Sequence, residues 1–321
     1  MTLALRVAES RDLNPLIRLL RLRSDDGAVL PGYEPGAHVR VQVTLADGKQ
    51  DWRHYSLVNL QPGADLRTPR EYVIAIRRED TGRGGSRFMH TVQAGDLLTI
   101  EPPRNDFPLR AGTAVLVAGG IGITPLASMA VQCRAAGQPV RLHYAGRSRA
   151  LLAFLPELQD LLREDLRVHA DDEAGAPLDV QALLDACAWN DTLYVCGPQV
   201  MLDAVLAGAQ ARGWPRERVK FELFSAPPAS ETEAGYEVVL SQSGRTLRVA
   251  PGQNLLECLE QNGCDPMFDC RRGECGVCSV AVLEGEIEHR DYFLSDAEKA
   301  SGKVMQICVS RARGPRLVLD M

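Results

Sequence analysis

Cys270-Arg271-Arg272-Gly273-Glu274-Cys275-Gly276-Val277-Cys278 spaces three thiols as C-x4-C-x2-C, and a fourth, Cys308, follows downstream. This is the plant-type [2Fe-2S] spacing. Four thiolates must converge on a small cluster, so the chain between them has to wrap around it. Gly273 and Gly276 let the backbone bend and come close to the sulfides. Backbone N–H groups in such a loop hydrogen-bond to cluster sulfurs and tune the potential. Zinc sites favour paired short spacings, which this loop lacks. The remaining candidates, Cys133, Cys187, Cys258 and Cys264, lie in or beside apolar helical segments and read as core cysteines.

Working outward, Tyr236–Leu240 and Thr246–Ala250 read as strands and a short helix starts from Asn254, so residues 236–321 form a small domain around the cysteine loop. Upstream, Ser225 to Gly235 reads Ser-Ala-Pro-Pro-Ala-Ser-Glu-Thr-Glu-Ala-Gly. With almost no large apolar side chain it packs no core, and residues 227–235 are expected to be a linker. Residues 109–226 alternate strand and helix. Ala114–Ala118 is an apolar run fit for a strand buried on both faces, and a helix over Pro125–Ala136 follows, with Thr124 as its N-cap. Val140–Ala145, Leu166–Ala170, Leu193–Cys196 and Lys220–Phe224 are further strands, and Phe154–Arg163, Asp179–Cys187 and Gln199–Arg212 the helices between them. That alternation predicts a doubly wound parallel α/β sheet. Residues 1–108 read as short strands and turns, among them Val39–Leu45, Trp52–Val58, Tyr72–Arg77 and Leu97–Ile100, and are expected to form an antiparallel β-barrel.

Two strand ends in the α/β segment suit a nucleotide. Ala118-Gly119-Gly120-Ile121-Gly122-Ile123-Thr124-Pro125 joins a buried strand to a helix, where free N–H groups face an anion. It departs from G-x-G-x-x-G, so the usual Rossmann fingerprint is absent. Tyr194-Val195-Cys196-Gly197-Pro198 is the second, and ligands bind at the carboxyl ends of such strands. In the barrel, Arg53, Tyr55 and Leu57 share one side of a strand and His54 and Ser56 the other. An arginine there pairs a phosphate and an aromatic ring covers a planar cofactor. Gly82-Arg83-Gly84-Gly85-Ser86 precedes a helix expected from Arg87, a second phosphate candidate. Each of these segments also reads as an ordinary turn or strand.

The chain has 321 residues, 45% hydrophobic and 24% charged, a globular composition. A net charge of −6 and 5% aromatic residues exclude a nucleic-acid binder. No run is long and apolar enough to span a membrane. Met1–Arg6 lacks a basic segment followed by an apolar one, so a cytoplasmic location with reduced thiols is expected. The odd count of nine cysteines then points to metal ligation rather than to disulfides.

Together these residues resemble the phthalate dioxygenase reductase family over essentially the whole chain, in the order flavin barrel, nicotinamide domain, C-terminal ferredoxin of β-grasp fold. The closing segments Cys308–Ala312 and Leu317–Asp320 are also similar. The resemblance implies that Arg53 binds the FMN phosphate, that Tyr55 lies against the isoalloxazine and that Ser56 sits near flavin N5. It implies that Gly84, Gly85 and Ser86 hold the phosphate. Gly120, Gly122 and Thr124 would face NADH, and Cys196, Gly197 and Pro198 would line the nicotinamide pocket. Glu222 and Phe224 match the family's acid-x-aromatic pair, and Cys270, Cys275, Cys278 and Cys308 ligate the cluster. No side chain need act as an acid or base. The implied activity is electron transfer from NAD(P)H through FMN and [2Fe-2S] to a separate Rieske-type oxygenase or demethylase, from a monomer. Rival readings are a reductase serving a cytochrome P450 or a carrier without hydride chemistry. One departure is Gly146-Arg147-Ser148-Arg149, whose arginines and serine suit a 2′-phosphate as well as a solvated turn, so NADPH stands beside NADH.

Overall fold

The computed structural model describes residues 2–82, 84–226 and 234–321. Arg83 and most of the expected linker, residues 227–233, lie outside the described residues. The chain divides into two compact units, Met1–Glu222 and Leu223–Met321.

The first unit opens with β1 (Leu3–Asn14), β2 (Ile17–Arg23), β3 (His38–Thr44), β4 (Gln50–Ser56), β5 (Glu71–Arg77), α1 (Gly85–Met89) and β6 (Leu97–Ile100). The strands form one antiparallel sheet in the order β4-β3-β6-β1-β2-β5. It curls far enough for the two outer strands to meet, where the Val58 N–H donates to the Val73 carbonyl at 2.8 Å. Alternate residues Val39, Val41 and Val43 point inward with Leu5, Leu20, Ile74 and Ile100, the period-2 pattern of a half-buried sheet. The helix expected from Arg87 starts two residues earlier, because Gly84 takes a left-handed φ of 88° and turns the chain into α1.

The same unit continues with β7 (Ala114–Gly119), α2 (Ile123–Ala135), β8 (Val140–Gly146), α3 (Leu155–Leu162), β9 (Leu166–Ala170), α4 (Asp171–Ala174), α5 (Val180–Asp185), β10 (Thr192–Cys196), α6 (Gln199–Ala211) and β11 (Val219–Glu222). Its strands are parallel, in the order β11-β10-β7-β8-β9. The chain order reverses direction between β10 and β7, which is the topological switch point of such a sheet. Thr124 is not the helix N-cap. A 3₁₀ turn over Gly120–Gly122 leads into α2, Gly122 takes the cap position, and the Thr124 hydroxyl donates back to the Ile121 carbonyl at 3.0 Å. The last strand ends at Glu222 rather than Phe224. Ile17, Leu19 and Ala75 of the antiparallel sheet pack in one core with Leu116 of β7 and Leu126 and Met129 of α2.

The second unit holds β12 (Tyr236–Leu240), β13 (Arg245–Val249), α7 (Leu255–Gln261), β14 (Ser279–Glu284), β15 (Ile287–Glu288), α8 (Asp296–Ser301), β16 (Val304–Gln306), β17 (Arg311–Ala312) and β18 (Arg316–Leu319). Five strands run in the order β13-β12-β18-β14-β16, with β12 and β18 parallel. Helix α7 starts where the Asn254 side chain accepts from the Glu257 N–H at 2.8 Å. It buries Leu255, Leu256 and Leu259 against the sheet. No described helix is long and apolar enough to cross a membrane.

Candidate active site

In the second unit the loop between α7 and β14 carries Cys270, Cys275 and Cys278, the segment after β16 brings Cys308 to it, and the four thiols form two pairs. Cys278 Sγ lies 3.2 Å from Cys308 Sγ, and Cys275 is hydrogen-bonded to Cys270. The Cys275 thiol, joined by backbone N–H groups that include Arg272 at 3.3 Å, pulls the Cys270 thiol down to about 5 and is itself pushed up. The Gly273 N–H points at Cys308 in the same way. Two thiol pairs in a cage of N–H donors fit a two-iron cluster, with a pair for each iron and donors for the sulfurs. Gly273 and Gly276 have φ of 80° and 78°. A Cβ at Gly276 would run into the Phe293 ring, and one at Gly273 would meet Val309 Cγ2 at 2.6 Å. Cys133 and Cys258 are buried in cores, whereas Cys187 and Cys264 are only half-buried.

Two further residues shape this loop and escaped sequence reasoning. Glu274 pairs with Arg272 at 2.9 Å and accepts the Leu223 N–H at 2.8 Å. Gln306 is fully buried, with Oε1 3.4 Å from Cys278 Sγ and Nε2 donating to Ser279 Oγ at 2.6 Å. The pairing Ser279↔Gln306 between β14 and β16 puts it there, and no local motif announces such a pairing.

In the first unit, β4 ends at Ser56. Arg53 bonds to Asp51 at 2.5 Å and to the Trp52 carbonyl at 2.9 Å, while its Nη2 is buried without a hydrogen-bond partner. A Cβ at Gly85 would lie 2.6 Å from Arg53 Nε, so the guanidinium lies directly against the glycine turn. An orphaned buried donor packed against a glycine turn fits a phosphate. The Ser86 hydroxyl is engaged elsewhere, accepting from the Glu79 N–H at 3.0 Å. Tyr55 is half-buried, and desolvation raises its phenol well above the ordinary value, so it is neutral at physiological pH.

Ser56 meets the parallel sheet. Its hydroxyl is 3.5 Å from Glu222 Oε2, and both residues are buried. Glu222 sits beside Cys196 in the β10–β11 register, and Cys196 is buried at the β10 end. The two βα turns at the switch point touch. A Cβ on Gly122 would collide with the Cys196 carbonyl, and one on Gly119 would meet Pro198 Cδ at 2.5 Å. Gly120, with a φ of 54°, has open space where its Cβ would stand. Thr124 is buried behind this turn. Gly197 and Pro198 lead into α6. Ser128, another residue without a sequence signal, ties these parts together. Its hydroxyl donates to the Leu57 carbonyl and accepts the Asn59 N–H, both at 2.8 Å. The helix that follows the glycine turn thus pins the chain that follows Ser56. Phe224 falls at the start of the second unit and is 38% exposed.

Comparison with known proteins adds independent findings. Residues 238–313 match the 2Fe-2S iron-sulfur cluster binding domain. The chain is 41% identical over 314 residues to the tetrachlorobenzoquinone reductase of Sphingobium chlorophenolicum, covering 95% of this chain and 94% of that protein. It is 37% identical over 318 residues to a carnitine monooxygenase reductase subunit of Acinetobacter baumannii, covering 98% and 96%. Among solved structures, phthalate dioxygenase reductase superposes with a TM-score of 0.74 at 37% identity, covering 100% of this chain and 98% of that one.

Proposed function

The chain belongs to the phthalate dioxygenase reductase family, and from that premise we propose which of its residues do the work and what receives the electrons. It is an oxidoreductase, the reductase component of an oxygenase system, using NADH, FMN and a [2Fe-2S] cluster. FMN, when bound, would supply hydride acceptance and one-electron release toward the cluster.

The chain's own residues bind and orient. Arg53 offers its unpartnered Nη2 to the FMN phosphate, with the backbone of Gly84, Gly85 and Ser86 beside it. Tyr55 and the Ser56 hydroxyl would hold the flavin ring. Gly120, Gly122 and Thr124 form the turn that faces the nicotinamide nucleotide. Cys196, Gly197 and Pro198 line the nicotinamide side, with Glu222 and Phe224 following on. Cys270, Cys275, Cys278 and Cys308 hold the cluster. The protein's share of the chemistry would be positioning and the exclusion of water. The observation that carries this reading is the buried Ser56–Glu222–Cys196 junction, where the end of the candidate flavin strand meets the switch point of the nucleotide sheet.

The electron acceptor is a separate Rieske-type oxygenase. The relative that is a monooxygenase reductase subunit supports this, while the quinone reductase relative supplies the alternative of a small quinone. Anaerobic NADH titration of the reconstituted protein tests the relay. Uptake of about three electrons per chain, bleaching flavin and cluster together, is expected. Failure with both NADH and NADPH would leave a carrier without hydride chemistry. Turnover of the reduced protein against a Rieske oxygenase, a cytochrome P450 and a quinone then separates the acceptors.

A further inference from the structure

The basic loop Gly146-Arg147-Ser148-Arg149 follows β8, the second strand of the parallel sheet. In a sheet of this kind that strand end receives the adenosine ribose of a dinucleotide. There an acidic residue favours the free 2′-hydroxyl and an arginine favours a 2′-phosphate. Read alone, the loop therefore suits NADPH. The structure places a carboxylate on it. Arg149 Nε and Nη2 donate to Glu173 Oε1 and Oε2, both at 2.9 Å, a two-point fork. Glu173 comes from α4, which directly follows the neighbouring strand β9. The turn is fixed to the loop by backbone, since the Asp172 N–H donates to the Arg147 carbonyl at 3.1 Å. Hydrogen bonding and charge from Glu173, with a smaller contribution from Asp172, both favour charged Arg149.

We infer that Glu173 is the residue that sets the choice of hydride donor, by occupying Arg149 so that NADH is preferred over NADPH. The inference rests on the placement of the nucleotide at this end of the parallel sheet. Its electrostatics follow from the residues present. Arg149 is forked by Glu173 and lies within reach of the Asp172 charge, so carboxylates already stand where a 2′-phosphate dianion would have to sit. A dianion entering there would break the fork and meet unpaired carboxylates. A neutral 2′-hydroxyl does neither. The pair is solvent-exposed, so its effect is moderate and selective rather than absolute.

Glu173→Ala and Glu173→Ala/Arg149→Ala are the variants to make. Steady-state kcat/KM with NADPH and NADH gives one readout. Calorimetric titration with 2′,5′-ADP and with 5′-AMP gives another that involves no turnover. Glu173→Ala is expected to raise the NADPH-to-NADH ratio of kcat/KM by about fivefold to tenfold and to tighten 2′,5′-ADP by a similar factor. The second substitution should return both to the starting values. A ratio that does not move while 5′-AMP binds normally overturns the role of Glu173. If neither adenosine fragment binds any of the proteins, the nucleotide does not lie at this strand end, and the inference falls with that placement.

Discussion

Gly122 shows how one residue decides whether two segments can meet. Its φ is −59°, so the backbone there does not require glycine. The requirement comes from outside, because the Cys196 carbonyl occupies the place of a Cβ. Gly122→Ala must therefore push β10 and the start of α2 apart, a small-to-large change in a packed interior that costs about 1–3 kcal/mol. The expected outcome is a lower urea midpoint together with slower flavin reduction by NADH in stopped flow, since the same shift moves Cys196 and Thr124. A stability loss with an unchanged reduction rate would detach this turn from hydride transfer. The glycines themselves were legible in the sequence as a strand–helix turn. Their reason was not, because the atom that demands Gly122 lies on another strand. Ser128 was invisible for the same reason: one serine in an apolar helix carries no hint that it spans Leu57 and Asn59.

At the scale of elements, the parallel sheet was read strand by strand because its strands are continuous apolar runs between helices. The first two strands are not legible in the sequence pattern, and β2 explains why. Leu19 and Leu20 are adjacent and both buried, Leu19 in the core shared with the parallel sheet and Leu20 in the interior of the antiparallel one. A strand buried on both faces and edged with arginines loses its clean alternation. Strands β8 and β9 carry a further consequence. His143 and His169 stack across them with ring centroids 5.3 Å apart and Nδ1 3.1 Å from Nε2. Burial, and then the charge of His169, lowers His143 from 6.5 to about 4. A histidine held neutral in the fold but free to protonate when unfolded contributes stability that is complete above pH 6.5 and is lost as pH falls toward 4. Between pH 7 and pH 5 the wild type should therefore lose about 1–2 kcal/mol more than His143→Gln. All three tryptophans, Trp52, Trp189 and Trp214, lie in the first unit. Urea titrations followed by their fluorescence report on that unit alone, and parallel pH profiles for the two proteins would remove His143 from the account.

For the whole molecule, the division into Met1–Glu222 and Leu223–Met321 sets the chemistry of each part. The candidate hydride-transfer residues Arg53, Tyr55, Ser56, Gly122, Cys196 and Glu222 belong to the first unit, and the four candidate cluster cysteines belong to the second. The C-x4-C-x2-C spacing made the second unit's chemistry readable before any fold was known, since three candidate ligands crowded into one loop leave a local record. The first unit's candidate site draws on β4, α1, α2, β10 and β11, and only the resemblance to a family joined those pieces in advance. Antiparallel and parallel sheets also share buried side chains, so the boundary expected near residue 108 separates two sheets inside one compact unit. The first unit completes its own cores, so damage confined to the cluster should leave hydride acceptance intact. Cys308→Ala removes one thiolate of the Cys278 pair and should abolish the cluster's visible absorbance. Ferricyanide, which takes electrons from reduced flavin, should still be reduced by NADH within about twofold of the wild-type rate. Cytochrome c, which draws single electrons through the cluster, should be reduced at least about 100-fold more slowly. Equal loss with both acceptors would mean that the first unit cannot accept a hydride without an intact cluster. Equal retention would mean that electrons leave the flavin directly, with the cluster off the path.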